Sequence, residues 1–208
     1  MMLETTEARW FWVAENLQGL NTWFAGRSLD GARAPETRTD EYLVLPNCRT
    51  AGIKLRNRRL EVKALVADAG EHVFHDGLTG QVQRWVKWSL EDLDLTARSS
   101  LGMEPAGSRQ VTKSRLLRRY AWTGKPRELS SEHSDSASSC HIELTSISLR
   151  HSPGSWVTFG IESHGKDADP IEVLIKTARH FFLKQPKVPD ELLKATSLSY
   201  PEWLAARE

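Results

Sequence analysis

Charged residues recur at two-residue spacing in three segments of this 208-residue chain, and each segment has the composition of a β-strand. Because successive side chains of a strand point to opposite faces, residues two apart project on the same side. The spaced residues are Lys54 and Arg56, Glu61 and Lys63, and Lys113 and Arg115. Each segment therefore presents one charged face to whatever lies on that side of the strand.

Basic faces on separate strands have two interpretations. On an isolated strand, the charged face simply meets water. In a sheet that closes on itself, the faces converge on one lumen, where like charges repel unless a multivalent anion or interleaved carboxylates neutralise them. Arg offers planar bidentate donors to phosphoryl oxygens, and Lys offers a compact charge. The pattern therefore predicts a small, phosphate-containing anion as the ligand.

Glutamates on the same strands suggest a second kind of chemistry. Glu7, Glu61, Glu143 and Glu162 each lie in a segment with strand character. Hard oxygen ligands suit Mg²⁺ or Mn²⁺, and either ion can bridge phosphates. Taken singly, each glutamate is better explained as an exposed or ion-paired residue, because that is how most glutamates occur. Together they predict Mg²⁺ or Mn²⁺ as a cofactor.

Length and composition limit the number of domains and the kinds of partner to be expected. One domain over residues 1–208 is expected, since single β-barrels often have roughly this length. The formal net charge is +1, so the bulk charge gives no reason to expect nucleic acid or a membrane as partner. The sequence lacks a long apolar run and a signal-peptide pattern, which favours a cytoplasmic protein. Cys48 and Cys140 are predicted to be free thiols.

Hydrophobic periodicity predicts mainly β-structure. The β-prone runs are residues 7–13, 38–46, 51–56, 59–67, one run within 72–89, 109–122, 140–149 and 155–163. About eight such strands must protect their edges, and closure into a barrel does so most completely. The predicted fold class is therefore α+β, mainly β, with a closed antiparallel β-tunnel flanked by helices.

The remaining segments supply helices and a loop. Residues 14–24 carry apolar side chains at helical spacing, which predicts a helix. A second helix is predicted over 169–184, with Asp169 as its N-cap. Residues 90–101 fit a short helix or a loop. Residues 127–139 are Ser-rich and almost free of apolar side chains, which predicts a flexible surface loop.

Two further groups of residues have simple explanations. His72 and His75 are three residues apart, but a metal pair at that spacing needs a helix and a third ligand, so a surface position is preferred. Trp85 and Trp88 could stack on bases, but burial in the core is the preferred interpretation because aromatic residues dominate core packing.

Several segments carry a family resemblance through their order. RTDEYLVLP, GIKLR, LEVKAL and VTKSRLLRRY follow one another, and CHIELTSISL and WVTFGIES come after them. In that order they resemble successive strands of the CYTH-like triphosphate tunnel metalloenzymes, which include thiamine triphosphatase, inorganic tripolyphosphatases and class IV adenylyl cyclases. SYPEWL is similar to a short signature near the end of that family. The resemblance covers nearly the whole chain and implies a triphosphate-binding β-tunnel.

The resemblance also implies roles for individual residues. The implied substrate ligands are Lys54, Arg56, Lys63, Lys113 and Arg115. The implied metal ligands are Glu7, Glu143 and Glu162. Glu7 resembles the second acidic position of the family's opening E-x-E-x-K strand and Arg9 resembles its lysine, so Glu7, Arg9 and Lys63 are the predicted catalytic residues.

Two functions follow from this reading. The first is a divalent-metal-dependent hydrolase of a triphosphate-containing substrate. The second is a binding module for a polyphosphate or phosphorylated ligand that has lost catalysis. The second is motivated by two departures from the family pattern: Thr5 stands where the first glutamate would be, and Gly160 replaces the first glutamate of the last strand. Nucleotide cyclisation is a third, weaker alternative.

Overall fold

A computed structural model describes residues 2–31, 34–91, 100, 107–130, 138–149, 156–165, 167–185 and 187–207. The strands are β1 (Met2–Val13), β2 (Glu36–Leu43), β3 (Ala51–Arg56), β4 (Arg59–His75), β5 (Leu78–Leu90), β6 (Ser108–Trp122), β7 (Pro126–Leu129), β8 (Ser138–Leu149), β9 (Trp156–Gly165) and β10 (Thr196–Ser197). The helices are α1 (Leu17–Ala25), α2 (Pro170–Lys184), α3 (Asp190–Leu193) and α4 (Tyr200–Ala205).

Eight of the strands form a closed antiparallel barrel. Their order around the ring is β1-β5-β4-β3-β2-β6-β8-β9, and pairing of β9 with β1 completes it. Strand β7 pairs with β6, and β10 pairs with β1, outside the ring. Closure gives every ring strand a partner on both sides, which satisfies its backbone donors and acceptors. The predicted fold class is confirmed.

The strands are longer than the hydrophobic pattern predicts. Strand β1 begins at Met2 instead of residue 7, and β4 runs without a break to His75. Strands β4 and β5 form one hairpin whose turn contains Gly77 at a φ of 75°. Register shifts within this pair, such as the one between Leu65 and Ala67, let the long strands follow the curvature of the barrel.

The two predicted helices are present, and side chains cap them. Asn16 accepts a hydrogen bond from the Gly19 amide at 2.8 Å, so α1 begins at Leu17, and Asp169 caps α2 as predicted. Ser199 and Glu202 form a reciprocal capping box on α4. Within the described part of the chain, no helix has the length and apolar character needed to cross a membrane.

Two of the predicted irregular segments are only partly described. In the segment predicted as a loop over 127–139, residues 127–129 belong to β7 and 138–139 to β8, while 131–137 lie outside the described residues. Most of the segment 90–101 also lies outside them. The burial of Leu129 explains the added strand, since pairing with β6 places its side chain in the interior.

The two faces of β1 pack into different cores. Trp10 and Trp12 point outward into a layer covered by α1 and α2, where Trp10 is fully buried. Phe11 points to the lumen and stacks on Trp203 of α4 with ring centroids 5.0 Å apart. Each such aromatic side chain contributes roughly 1.5–3 kcal/mol through burial. Helix α4 therefore closes part of the barrel interior with an aromatic cluster.

Candidate functional site

Alternation along the ring strands places all of the predicted site residues in one cavity. The cavity has a volume of about 340 Å³ and lies inside the barrel. The predicted residues that line it are Glu7, Arg9, Lys54, Arg56, Lys63, Lys113, Arg115, Glu143 and Glu162. The charged faces seen in the sequence therefore do converge, although their roles stay predictions.

Three further basic residues line the same cavity. Arg38, Lys87 and Arg109 were not predicted as site residues. Arg38 lies two residues before Asp40 on β2, and Lys87 pairs in register with Lys63 across β4 and β5. The two-residue spacing between Arg38 and Asp40 is the sequence signal that could have identified β2 as a lumen strand.

A buried aspartate organises one group of these cations. Asp40 is 0% exposed, and its carboxylate lies 3.0 Å from the Lys113 ammonium nitrogen. Lys54 lies 3.6 Å away. Arg38 and Arg56 lie at 3.7 and 3.9 Å. Burial alone would raise the pKa of Asp40, but Lys113 and Lys54 outweigh it and hold that pKa well below its ordinary range. We call these five residues the Asp40 cluster.

Lys113 is the most confined cation of the Asp40 cluster. Its side chain is 4% exposed, and its amine donates to the Tyr42 hydroxyl at 2.6 Å. The amine also lies 3.9 Å from the centre of the Tyr200 ring. Burial lowers the pKa of Lys113 to about 7, because loss of hydration outweighs the attraction of Asp40. The amine is therefore poised to change its protonation state near neutral pH.

The opposite part of the cavity carries the three glutamates in ion pairs. Glu7 pairs with Lys63, and Glu162 pairs with Lys87 at 2.7 Å. Glu7 and Glu162 also occupy paired register positions on β1 and β9. Burial would raise the pKa of Glu162, but Lys87 and Lys63 hold it well below its ordinary value. The carboxylates of Glu7 and Glu162 therefore face the same cavity.

The third glutamate, Glu143, forms an ion pair with Arg9. Its guanidinium donates to Glu143 at 2.6 Å and to the Thr158 hydroxyl at 3.3 Å. Arg115 lies 3.6 Å from the same carboxylate. Burial raises the pKa of Glu143, but Arg9 and Arg115 more than offset it, and the pKa falls to about 2. Glu143 is therefore an anion throughout the neutral range.

Lys63 is another lysine of the cavity whose pKa is lowered. Its nitrogen lies 4.2 Å from the centre of the Trp85 ring, which is buried as predicted. Burial lowers the pKa of Lys63 to about 8 despite its contact with Glu7. Trp88, in contrast, is 43% exposed on the outer face.

The acidic side chains do not form a preassembled metal centre. Among the described residues, no three His, Cys, Asp or Glu side chains come together as a group that could hold a metal ion. Glu7, Glu143 and Glu162 each direct an oxygen to a Lys or Arg instead. In this arrangement cations engage the three carboxylates, and no chemical step is assigned to a metal.

Comparison with known proteins gives little beyond the geometry. No protein-family model matches the chain, and no curated protein matches it. Among solved structures, a conserved hypothetical protein from Pyrococcus furiosus is similar over 95% of this chain and 98% of its own, with 11% sequence identity and a TM-score of 0.40.

Proposed function

We propose that the barrel cavity binds a linear polyphosphate-type anion. The observation that carries the proposal is the charge of the cavity wall, where nine Lys and Arg side chains line the cavity beside four glutamates. Such an excess of confined cations is stabilised by a multivalent anion, because each Lys or Arg can donate charge-assisted hydrogen bonds to phosphoryl oxygens. The resemblance to the CYTH-like triphosphate tunnel metalloenzymes supports the same assignment.

The Asp40 cluster gives the anion a prearranged set of donors. Asp40 is buried behind the cavity wall and holds Lys113 in place before a ligand arrives, and together with Glu61 it also holds Lys54 and Arg56. Donors that are already ordered lose less conformational entropy when they bind. Asp40 therefore acts as a positioning residue for the cations, which contact the phosphate oxygens.

A second candidate function is hydrolysis of the bound triphosphate. It is favoured by the three glutamates, which line the same cavity as the cations, with Glu7 and Glu162 at paired positions of adjacent strands. Phosphoryl transfer demands mainly positioning and charge stabilisation from the protein, and the Lys and Arg side chains can supply both. Release of phosphate from tripolyphosphate, thiamine triphosphate and ATP, each with Mg²⁺ or Mn²⁺, tests this candidate. Absence of turnover on all three refutes it.

Calorimetry with tripolyphosphate in EDTA tests the binding proposal. We expect Arg56→Gln to weaken binding about tenfold or more, since one charge-assisted hydrogen bond contributes about 1.5–3 kcal/mol. Arg84→Gln is the matched control, because Arg84 is 47% exposed and its partner Glu4 is also exposed. Equal affinities of the two variants, or no binding by the unmodified protein, would contradict the proposal.

A further inference from the structure

The cavity wall is chemically uneven. The cations occupy one part of it, and aliphatic side chains occupy another. The aliphatic residues come from the end of β2, the chain just after it, and helix α4. We call them the apolar wall, which consists of Leu43, Val44, Leu45, Pro201, Leu204 and Ala205.

The apolar wall directly adjoins the cations. Leu43 follows Tyr42, whose hydroxyl accepts from Lys113, and Pro201 follows Tyr200, whose ring lies over the same amine. Strand β3 also brings the two together, because Gly52 pairs in register with Lys63. A Cβ on Gly52 would lie 3.2 Å from Pro201 Cγ, so β3 and α4 pack tightly here. A ligand with its phosphates on the cations can therefore extend to the apolar wall.

The apolar wall is incompletely covered by the protein itself. Leu43, Val44, Leu45 and Leu204 are each half-buried and line the cavity. Apolar surface in contact with water is unfavourable, and an inorganic anion would leave this surface wet. An aliphatic chain laid against it would remove the water and gain free energy with each methylene buried.

We propose that the ligand is a phosphate or diphosphate ester of an aliphatic group, with its head on the cations and its chain on the apolar wall. This proposal rests on the proposed function, because it assigns the anionic head to the same cations. It adds that the natural ligand is amphiphilic, so inorganic tripolyphosphate fills only part of the site.

The side chains of the cavity favour an aliphatic group over a nucleobase. Proteins recognise bases by stacking aromatic rings on them and by hydrogen bonds to their edges. The described residues of the cavity include no Trp, Phe, Asn or Gln. Tyr42 and Tyr200 stack on each other and contact Lys113, so their faces are already engaged.

Calorimetry with a pair of head-matched ligands tests the proposal. Methyl diphosphate and geranyl diphosphate carry the same diphosphate ester head group and differ only in the hydrocarbon group attached to it. In EDTA, we expect geranyl diphosphate to bind at least tenfold more tightly, an increase that needs burial of only about two methylenes. ATP is expected to bind no more tightly than tripolyphosphate.

Variants of the apolar wall locate the effect. Leu45→Ser and Leu204→Ser should reduce the preference for geranyl over methyl diphosphate to less than threefold and leave the affinity for tripolyphosphate within twofold. Leu183→Ser is the matched control, because Leu183 is 82% exposed on α2 and does not line the cavity. It should change neither quantity.

Cys48 provides an independent readout within the same cavity. Its thiol is half-buried and lines the cavity, whereas Cys140 is fully buried. Geranyl diphosphate should slow alkylation of Cys48 by iodoacetamide at least fivefold, and methyl diphosphate at the same fractional occupancy should not. This measurement does not depend on the folding of any variant.

The outcomes separate this proposal from the proposed function. If tripolyphosphate binds but geranyl and methyl diphosphate have equal affinities, the apolar wall has no role and anion binding stands. If ATP binds tenfold more tightly than tripolyphosphate, the aliphatic assignment is wrong. If none of the four ligands binds, both proposals fail.

Discussion

The guanidinium of Arg9 occupies the space that a side chain at Gly160 would need. A Cβ built on Gly160 would lie 2.6 Å from Arg9 Cζ, closer than atoms of this kind can approach. The two residues are register partners on β1 and β9. This contact explains why a glycine suits position 160, because the guanidinium of Arg9 leaves no room there for a side chain.

The Arg9–Gly160 contact predicts a pair of coupled substitutions. Gly160→Ala should lower the free energy of unfolding by about 1–3 kcal/mol, the usual cost of overpacking, because Glu143 and Thr158 hold the guanidinium in place. Arg9→Lys, which is smaller, should recover at least half of that loss in the double variant. Urea denaturation of the four proteins measures the coupling. If the two substitutions change the free energy of unfolding additively, the contact between Arg9 and position 160 does not cause the loss of stability.

Asp40 should be important for stability although it lies behind the cavity wall. Asp40→Asn removes the nearest anion from Lys113 and leaves Lys54 with only its closer partner Glu61. We therefore expect a loss of about 3–5 kcal/mol in unfolding free energy, as for other broken buried ion pairs. Saturating tripolyphosphate should restore part of the loss, because it replaces the missing negative charge. Chemical denaturation with and without the anion measures both effects.

Glu36→Gln is the control for the Asp40 variant. Glu36 also pairs with a basic residue, Arg115, but it is 56% exposed. Its loss should cost no more than about 1 kcal/mol, because solvent screens such pairs. Equal destabilisation by the two variants would rule out the special position assigned to Asp40.

Anion binding should take up protons at slightly alkaline pH. The pKa of Lys113 is about 7 and that of Lys63 about 8 without ligand, so both amines are partly neutral at pH 8. A bound anion favours the charged amines and raises both pKa values, so affinity is highest below pH 7 and falls as the pH rises through 7 and 8. Lys113→Met should reduce the uptake at pH 8 by close to one proton.

Calorimetry in buffers of different ionisation enthalpy measures this proton uptake. Tripolyphosphate serves for every protein, so its own ionisation cancels in the comparison. Lys176→Met is the control, since Lys176 is 53% exposed on α2. Identical proton uptake in the Lys113→Met and unmodified proteins would show that a group other than Lys113 takes up the proton.

Trp203 should couple α4 to the barrel. Its ring is fully buried and stacks on Phe11, so Trp203→Ala should cost about 3–5 kcal/mol. Because Tyr200 of the same helix lies over the Lys113 amine, tripolyphosphate affinity should also fall. Thermal unfolding and calorimetry give the two values. Full affinity in this variant would show that the site forms without α4.

The sequence was sufficient for the parts of the site that follow from alternation. Lys54 and Arg56 are two residues apart on a short strand, and one closed ring brings them to the same lumen as Lys113 and Arg115. The hairpin at Gly77 is not predicted, because the pattern places one strand within 72–89 and ends the preceding strand at residue 67, although Asp-Gly between β-prone segments is a strong turn signal. Strand lengths were underestimated because polar residues such as Glu4 and Glu71 lie within them.

The sequence could not show which charges are buried together. Asp40 is one of several acids in a polar stretch of β2, and only the register of β2 with β3 and β6 places it against Lys54 and Lys113. Glu7, Glu143 and Glu162 were grouped as metal ligands, but their ion pairs with Lys and Arg depend on side-chain directions that spacing does not specify. The metal assignment stays a prediction.

The aromatic cluster between β1 and α4 makes the cavity sensitive to the integrity of the folded chain. Phe11 and Trp203 come from segments nearly two hundred residues apart in sequence, yet they stack on each other beside residues that line the cavity. A molecule in which either segment has not yet docked would lack one wall of its cavity. Ligand occupancy would then report whether folding had been completed, and a resident anion would protect both segments from proteases.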